Sequence, residues 1–182
     1  MQISHPIYGV INDDTKVIPY VRAPGKARHN KRSLAYQTAK ENVGAEMVRT
    51  LQTCEDLAIQ ARARKRPMGQ PIITSPVRFG VIVGMKRTAD GRLPAKSDWD
   101  NWYKAVLDAA VSAGIFKDDA ALYVRGPAPV GDVASGIYAY IKPIIIWSIC
   151  PVEHPFLPSI VFRSLPPHER SRALASPSIR TP

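Results

Sequence analysis

Four aspartates flank a predicted helix in the second half of the chain. Asp98 and Asp100 lie at its start, and Asp118 and Asp119 follow a short link after its end. Carboxylate oxygens are ligands that Mg²⁺ prefers, and two or three of them can hold the ion while leaving room for a phosphate oxygen. Such an ion promotes phosphodiester hydrolysis. The spacing is therefore compatible with a magnesium site, provided that the chain turns back so that Asp119 meets Asp100.

A lysine and a further aspartate extend the charged face of the same helix. Lys104 follows Asp100 by four residues, so the two share a face. Its ammonium could neutralise charge that develops on a phosphate during hydrolysis. Asp108 lies one turn further on, where it either orients Lys104 or is an ordinary exposed acid, and the sequence favours the second. Cys54 and Cys150 are far apart, which argues against zinc.

A purely structural interpretation explains the same residues. Aspartate at a helix start is favoured as a cap and by the helix dipole. Asp100 and Lys104 also form an ordinary (i, i+4) ion pair, and Asp118 and Asp119 suit a solvated turn. On spacing alone this interpretation is favoured over a metal site. Trp99 and Trp102 are likewise assigned to a core or an interface rather than to base stacking.

Hydrophobic periodicity predicts the elements that position these residues. The predicted elements, in chain order, are strand 17–21, helix 33–64, strand 77–86, helix 98–113, strand 120–125 and strand 136–142. This β-α-β-α-β-β order predicts an α+β fold, with a single mixed β-sheet packed against two main helices. Gly114 is the predicted end of the second helix.

Proline content divides the chain into a predicted domain and a tail. Residues 143–182 hold 8 of the 17 prolines and show no convincing periodicity. We therefore predict a domain over 1–142 and a Pro-rich, poorly ordered tail over 143–182, although residues 144–147 could extend the last strand.

A strong positive charge favours an acidic partner. The formal net charge is +10, and residues 15–40 carry seven Lys or Arg and no acid. Nucleic acid is the commonest partner for such a protein, and an anionic membrane surface is the second candidate. A basic cluster at 62–66 suits either a helix C-terminus or DNA. Neither a signal peptide nor a bilayer-spanning run is evident, which predicts a cytoplasmic protein.

The segment 96–122 resembles the RusA family of Holliday junction resolvases. The family hallmark is D-x-D-N-x-x-K, a helix, and then D-D-A. The corresponding residues here are Asp98-Trp99-Asp100-Asn101, Lys104 and Asp118-Asp119-Ala120. The likeness is strong over 96–122 and weaker over 17–142. Two tryptophans, Trp99 and Trp102, replace the smaller residues common in the family.

The resemblance implies a function and a set of site residues. It implies Mg²⁺, with Mn²⁺ as a substitute, held by Asp98, Asp100 and Asp119, with Lys104 as a catalytic cation. Family members are homodimers, typically encoded by phages and prophages, that cut four-way DNA junctions symmetrically. The expected contacts with DNA phosphates come from basic residues, namely Lys26, Arg28, Lys31, Arg32 and Lys96. The alternative is a non-catalytic basic DNA-binding protein, an inactive relative of these enzymes.

Overall fold

Three strands and three helices make up the described part of the chain. The structure, a computed structural model, describes residues 3–11, 15, 17–18, 20, 31–65, 70–84, 99–120 and 144–153, with the backbone alone at 31, 32, 84, 99 and 144. The elements are β1 (Ile7–Ile11), α1 (Lys31–Leu51), α2 (Leu57–Lys65), β2 (Val77–Gly84), α3 (Trp99–Ser112) and β3 (Ile144–Pro151). The α+β fold class predicted from the sequence is confirmed.

The three strands form an antiparallel sheet with β3 in the middle. The strand order is β1-β3-β2, and Trp147 of β3 pairs with Gly9 on one side and with Val81 on the other. Gly9 makes room for the indole, because a Cβ added there would lie 2.5 Å from its ring. The sheet face that carries Trp147 joins the main apolar core, together with side chains of all three helices.

The structure corrects several predicted elements. The first described strand is β1 at 7–11, and residues 17, 18 and 20 belong to no strand. The central strand β3 occupies 144–151, inside the segment predicted as a poorly ordered tail. The described sheet is antiparallel rather than mixed. Residues 121–125 and 136–142, which we predicted as strands, lie outside the described residues.

The predicted helix 33–64 is two helices, because an aspartate caps the second one. The side chain of Asp56 accepts hydrogen bonds from the backbone N–H groups of Ala58 and Ile59, each at 3.1 Å. This is the pattern of an N-terminal cap, which satisfies N–H groups that have no partner within the helix. α1 ends at Leu51 and α2 begins at Leu57, with a turn between them.

Helices α1 and α3 cross at a glycine, and this crossing positions the site described below. A Cβ added at Gly44 would lie 2.8 Å from both the carbonyl oxygen of Ala109 and the Cβ of Ala113. The two backbones therefore approach closely. Tyr36 lies about two helical turns before Gly44, which places it beside α3. Among the described residues, no helix combines the length and apolar character needed to cross a bilayer.

Candidate active site

Helix α3 divides its side chains between a buried face and a charged face. Trp102, Val106 and Ala109 are buried in the core, as the sequence periodicity predicted. Asp100 is exposed in the first turn, and Lys104 follows one turn later on the same side. The candidate residues are therefore held on a helix whose other face is locked into the core.

A glycine turn reverses the chain after α3. The N–H of Gly114 donates to the carbonyl of Val111 and the N–H of Ile115 donates to that of Ala110, both at 2.9 Å. Gly114 has a φ of 72°. Together these features are a Schellman motif, in which a left-handed residue ends a helix. Gly114 thus has the helix-ending role that the sequence analysis assigned to it.

Two backbone hydrogen bonds and two buried side chains anchor the link that follows the turn. The N–H groups of Ile72 and Ile73 donate to the carbonyls of Gly114 and Ile115, each at 2.9 Å. Ile115 and Phe116 are buried. The link therefore has a defined path, and the two aspartates at 118 and 119 follow it directly.

Asp119 returns to the charged face of α3. Its Oδ2 lies 3.6 Å from Nζ of Lys104, and Oδ1 of Asp108 lies 3.4 Å from the same nitrogen. The exposed fractions of the Lys104, Asp119 and Asp108 side chains are 42%, 45% and 24%. Because Lys104 is one turn from Asp100, Asp119 lies on the helical side that carries Asp100. The chain therefore turns back after α3 and brings Asp119 to Lys104.

Two tyrosines that the sequence analysis did not single out join Lys104, Asp108 and Asp119, and these five residues form the charged cluster. The Tyr20 ring centroid lies 5.2 Å from Lys104 Nζ, within the range of a cation–π contact. Tyr20 packs edge-on against Tyr36, with ring centroids 6.0 Å apart. The Tyr36 hydroxyl donates to Oδ2 of Asp108 at 3.2 Å. The hydrogen bond joins positions 72 residues apart in sequence, so no local motif could have revealed it.

The electrostatics of the cluster favour a protonated lysine. Partial burial lowers the pKa of Lys104, but Asp108 and Asp119 outweigh this effect, and the pKa is raised above its usual value. Burial and the nearby Asp108 carboxylate raise the pKa of Tyr36. Burial, and then Asp119, raise the pKa of Tyr103 to about 12. At neutral pH Lys104 is therefore a cation, and Tyr36 and Tyr103 are neutral hydrogen-bond donors.

The type of donor atom that Asp100 and Asp119 carry fits a hard divalent cation. Asp100 and Asp119 offer carboxylate oxygens, and both are exposed. Mg²⁺ is held by one or two carboxylates and keeps several waters. Across the described ranges, no three His, Cys, Asp or Glu side chains group closely enough to hold a metal ion. The third predicted ligand, Asp98, lies outside those ranges.

Most of the predicted DNA-contacting residues also lie outside the described part of the chain. This is so for Lys26, Arg28 and Lys96, while Lys31 and Arg32 contribute backbone to the first turn of α1. Within the basic cluster at 62–66, two arginines make hydrogen bonds that support the fold. Arg62 Nε donates to the Pro71 carbonyl at 3.0 Å, and Arg64 Nε donates to the Gln52 carbonyl at 3.1 Å.

Comparison with protein-family models and with curated proteins found no match to the chain.

Proposed function

We propose that the chain is a Mg²⁺-dependent endodeoxyribonuclease of the RusA type that resolves Holliday junctions and related branched DNA. The observation that carries the proposal is the approach of Asp119 to Lys104 at 3.6 Å. It joins the second half of the D-x-D-N-x-x-K and D-D-A pattern to the first on one face of α3. An ordinary capping role for Asp100 would not require Asp119 to return to this helix.

In the proposed reaction, Asp98, Asp100 and Asp119 hold the metal ion, with Mn²⁺ as a substitute for Mg²⁺. When bound, the ion supplies Lewis-acid chemistry at the scissile phosphate. A water molecule attacks the phosphorus, and a new P–O bond forms as the bond to the leaving oxygen breaks. Lys104 donates to a phosphate oxygen and stabilises the negative charge that develops there. The rest of the chain contributes the fixed positions of these groups, through the buried face of α3 and the anchored link after Gly114.

The charge of the chain supports DNA as the substrate. A net charge of +10 favours binding to phosphates through release of counterions. Lys26, Arg28, Lys31, Arg32 and Lys96 are the proposed phosphate contacts. A four-way junction has two-fold symmetry, so two cuts placed symmetrically suit a homodimer with one site in each protomer. The same charge would serve a non-catalytic DNA-binding protein, which is the alternative function.

The deciding experiment is a nicking assay on a synthetic four-way junction and on a linear duplex of the same composition, first with Mg²⁺ and then with EDTA. We expect cleavage of the junction with Mg²⁺ and none with EDTA. Lys104→Met should lower the rate by about 10²–10³-fold, as expected for loss of a group that stabilises a developing charge. Asp119→Asn should abolish cleavage, because it removes a proposed ligand of the metal ion. Junction binding, measured with Ca²⁺ in place of Mg²⁺, should survive both substitutions.

Glu55→Gln is the matched control, because it removes one exposed acid from the turn between α1 and α2. It should cleave at the rate of the unaltered chain. Junction binding without Mg²⁺-dependent cleavage would instead support the non-catalytic alternative. Cleavage by Asp119→Asn at the rate of Glu55→Gln would exclude Asp119 from the site.

A further inference from the structure

Asp108 has two partners and is not the ordinary exposed acid that the sequence favoured. Its Oδ2 accepts a hydrogen bond from the Tyr36 hydroxyl at 3.2 Å, and its Oδ1 lies 3.4 Å from Lys104 Nζ. The two oxygens of one carboxylate are therefore divided between α1 and the charged face of α3. A carboxylate with one oxygen held by a neighbouring helix has a restricted orientation, and this restriction extends to the ammonium that it pairs with.

Lys104 is close to two carboxylates that differ in solvent exposure. Asp119 is the more exposed of the two, at 45% against 24% for Asp108. In the proposed function Asp119 is committed to the metal ion, so its charge is no longer available to Lys104 alone. Asp108 is not a proposed ligand and remains beside the ammonium. The Tyr20 ring, 5.2 Å from Nζ, adds a further favourable contact.

The position of Tyr36 is set by the tight helix crossing. Gly44 allows the α1 backbone to approach Ala109 and Ala113 of α3. Tyr36 is on the same helix and half-buried, so its hydroxyl reaches Asp108 from a fixed support. A lysine side chain has several rotatable bonds and loses considerable rotamer freedom when it is held in one place. Contacts that restrict it beforehand lower that cost at the moment of reaction.

We infer that Asp108 and Tyr36 are positioning residues for Lys104, with Tyr36 orienting the Asp108 carboxylate and Asp108 keeping the ammonium at the site once Asp119 is engaged in metal binding. The inference rests on the proposed function for the catalytic role of Lys104. It adds a specific requirement, which is that α1 takes part in the reaction through a hydrogen bond to a residue that touches neither metal nor substrate.

Two substitutions test the inference through two independent measurements. Asp108→Asn keeps the shape and an acceptor oxygen but removes the charge, and Tyr36→Phe removes the donor alone. The first measurement is an NMR titration of the Lys104 amine in the full metal-free chain, assigned with Lys104→Met. The pKa of Lys104 should fall in Asp108→Asn, because the Asp108 carboxylate raises it. This measurement does not depend on cleavage.

The second measurement is junction cleavage with Mg²⁺, with kcat and KM determined separately. We expect kcat to fall by about 10- to 100-fold in Asp108→Asn, as for misplacement of a catalytic group. Tyr36→Phe, which removes one hydrogen bond, should lower kcat by about 3- to 10-fold. KM should stay within about twofold in both, since an interaction needed only in the transition state does not change ground-state binding.

Matched controls separate positioning from a general effect on the fold. Tyr8→Phe removes a phenol from the sheet face opposite the main core, and Glu41→Gln removes an exposed acid from α1. Both should leave kcat and the Lys104 pKa unchanged. The inference is overturned if Asp108→Asn matches Glu41→Gln in both measurements, or if KM rises while kcat is kept. If the unaltered chain cleaves no junction, the proposed function fails, whereas a lower Lys104 pKa in Asp108→Asn still supports the contact.

Discussion

The sheet and the charged cluster are built on opposite physical principles. In the sheet, Trp147 and Ile149 of β3 are fully buried among apolar neighbours, and the partners are set by strand register. In the cluster, Lys104 and Asp119 are both more than 40% exposed, and their contacts are single directed interactions. Apolar burial stabilises the fold in proportion to area, whereas partly exposed ion pairs contribute about 0–1 kcal/mol.

The contrast is a further argument for the proposed function. Three charged side chains and two tyrosines meet on one side of α3 although their mutual contacts add little to stability. An arrangement that costs positional freedom without stabilising the fold is expected at a functional site, which is where proteins depart from the rules of packing.

The largest effect should follow from removing the centre of the sheet. Trp147→Ala leaves a cavity above Gly9 in a fully buried position, and we expect a loss of about 3–5 kcal/mol in the free energy of unfolding. Urea denaturation followed by circular dichroism measures it. Leu57→Ala, at a position 74% exposed, is the control and should cost little. A loss below about 1 kcal/mol for Trp147→Ala would show that the buried sheet is not the main source of stability.

The second effect tests the close crossing of α1 and α3, which packs on the sheet and also positions the charged cluster. Gly44→Ala places a Cβ 2.8 Å from the Ala109 carbonyl oxygen, which is backbone and cannot move cheaply. We expect a loss of about 1–3 kcal/mol in unfolding free energy, as for overpacking of a core. The helices should also separate slightly, so cleavage should fall further than in a variant destabilised elsewhere to the same extent. Asn42→Ala, on the exposed side of α1, is the control.

Local signals were enough to predict α3, the glycine that ends it and β2. In α3 the apolar residues recur at helical spacing, and in β2 they alternate, so the pattern and the structure agree. The sequence analysis stated the return of the chain to α3 only as a condition for the site. It could not predict that return, because the hydrogen bonds that direct the link come from the distant Ile72 and Ile73. The motif could name the residues but not the path between them.

Non-local contacts explain the elements that the sequence analysis missed. β3 lies at the start of a segment that is rich in proline and serine and has no periodicity, and a strand buried on both faces has no alternation to detect. The break between α1 and α2 depends on Asp56, which caps the start of α2. The apolar residues keep helical spacing through Ala58, so the pattern predicted one continuous helix. Tyr36 was missed because its partner on α3 is distant in sequence.

A smaller effect is expected where a backbone conformation alone is at stake. Nothing lies within 4 Å of a Cβ added at Gly114, but its φ of 72° is in the left-handed region. We therefore expect Gly114→Ala to cost about 1–2 kcal/mol of unfolding free energy. Gly114→Asn should cost less, because asparagine tolerates this conformation. Equal losses for the two variants would show that steric contact, rather than φ, sets the cost.

The smallest effect concerns alkaline pH and reports on both regions at once. The Tyr103 hydroxyl donates to the Phe79 carbonyl of β2 at 3.4 Å, on the sheet side of α3. Its pKa is raised to about 12 by burial first and by Asp119 second. The folded chain holds this proton more tightly than the unfolded chain. The resulting stability is complete below pH 10.0 and is lost as the pH rises from there to about 12.

Asp119→Asn turns this titration into a test of where Asp119 lies. It removes the smaller of the two causes, so the pKa of Tyr103 should fall but stay above the ordinary value of 10.0. The ultraviolet absorbance of tyrosinate measures the change, with Tyr103→Phe identifying the signal and Glu55→Gln as the control for loss of one acid. An unchanged titration in Asp119→Asn would mean that its carboxylate does not lie beside α3, and the contrast between a stabilising sheet and an assembled charged cluster would then be lost.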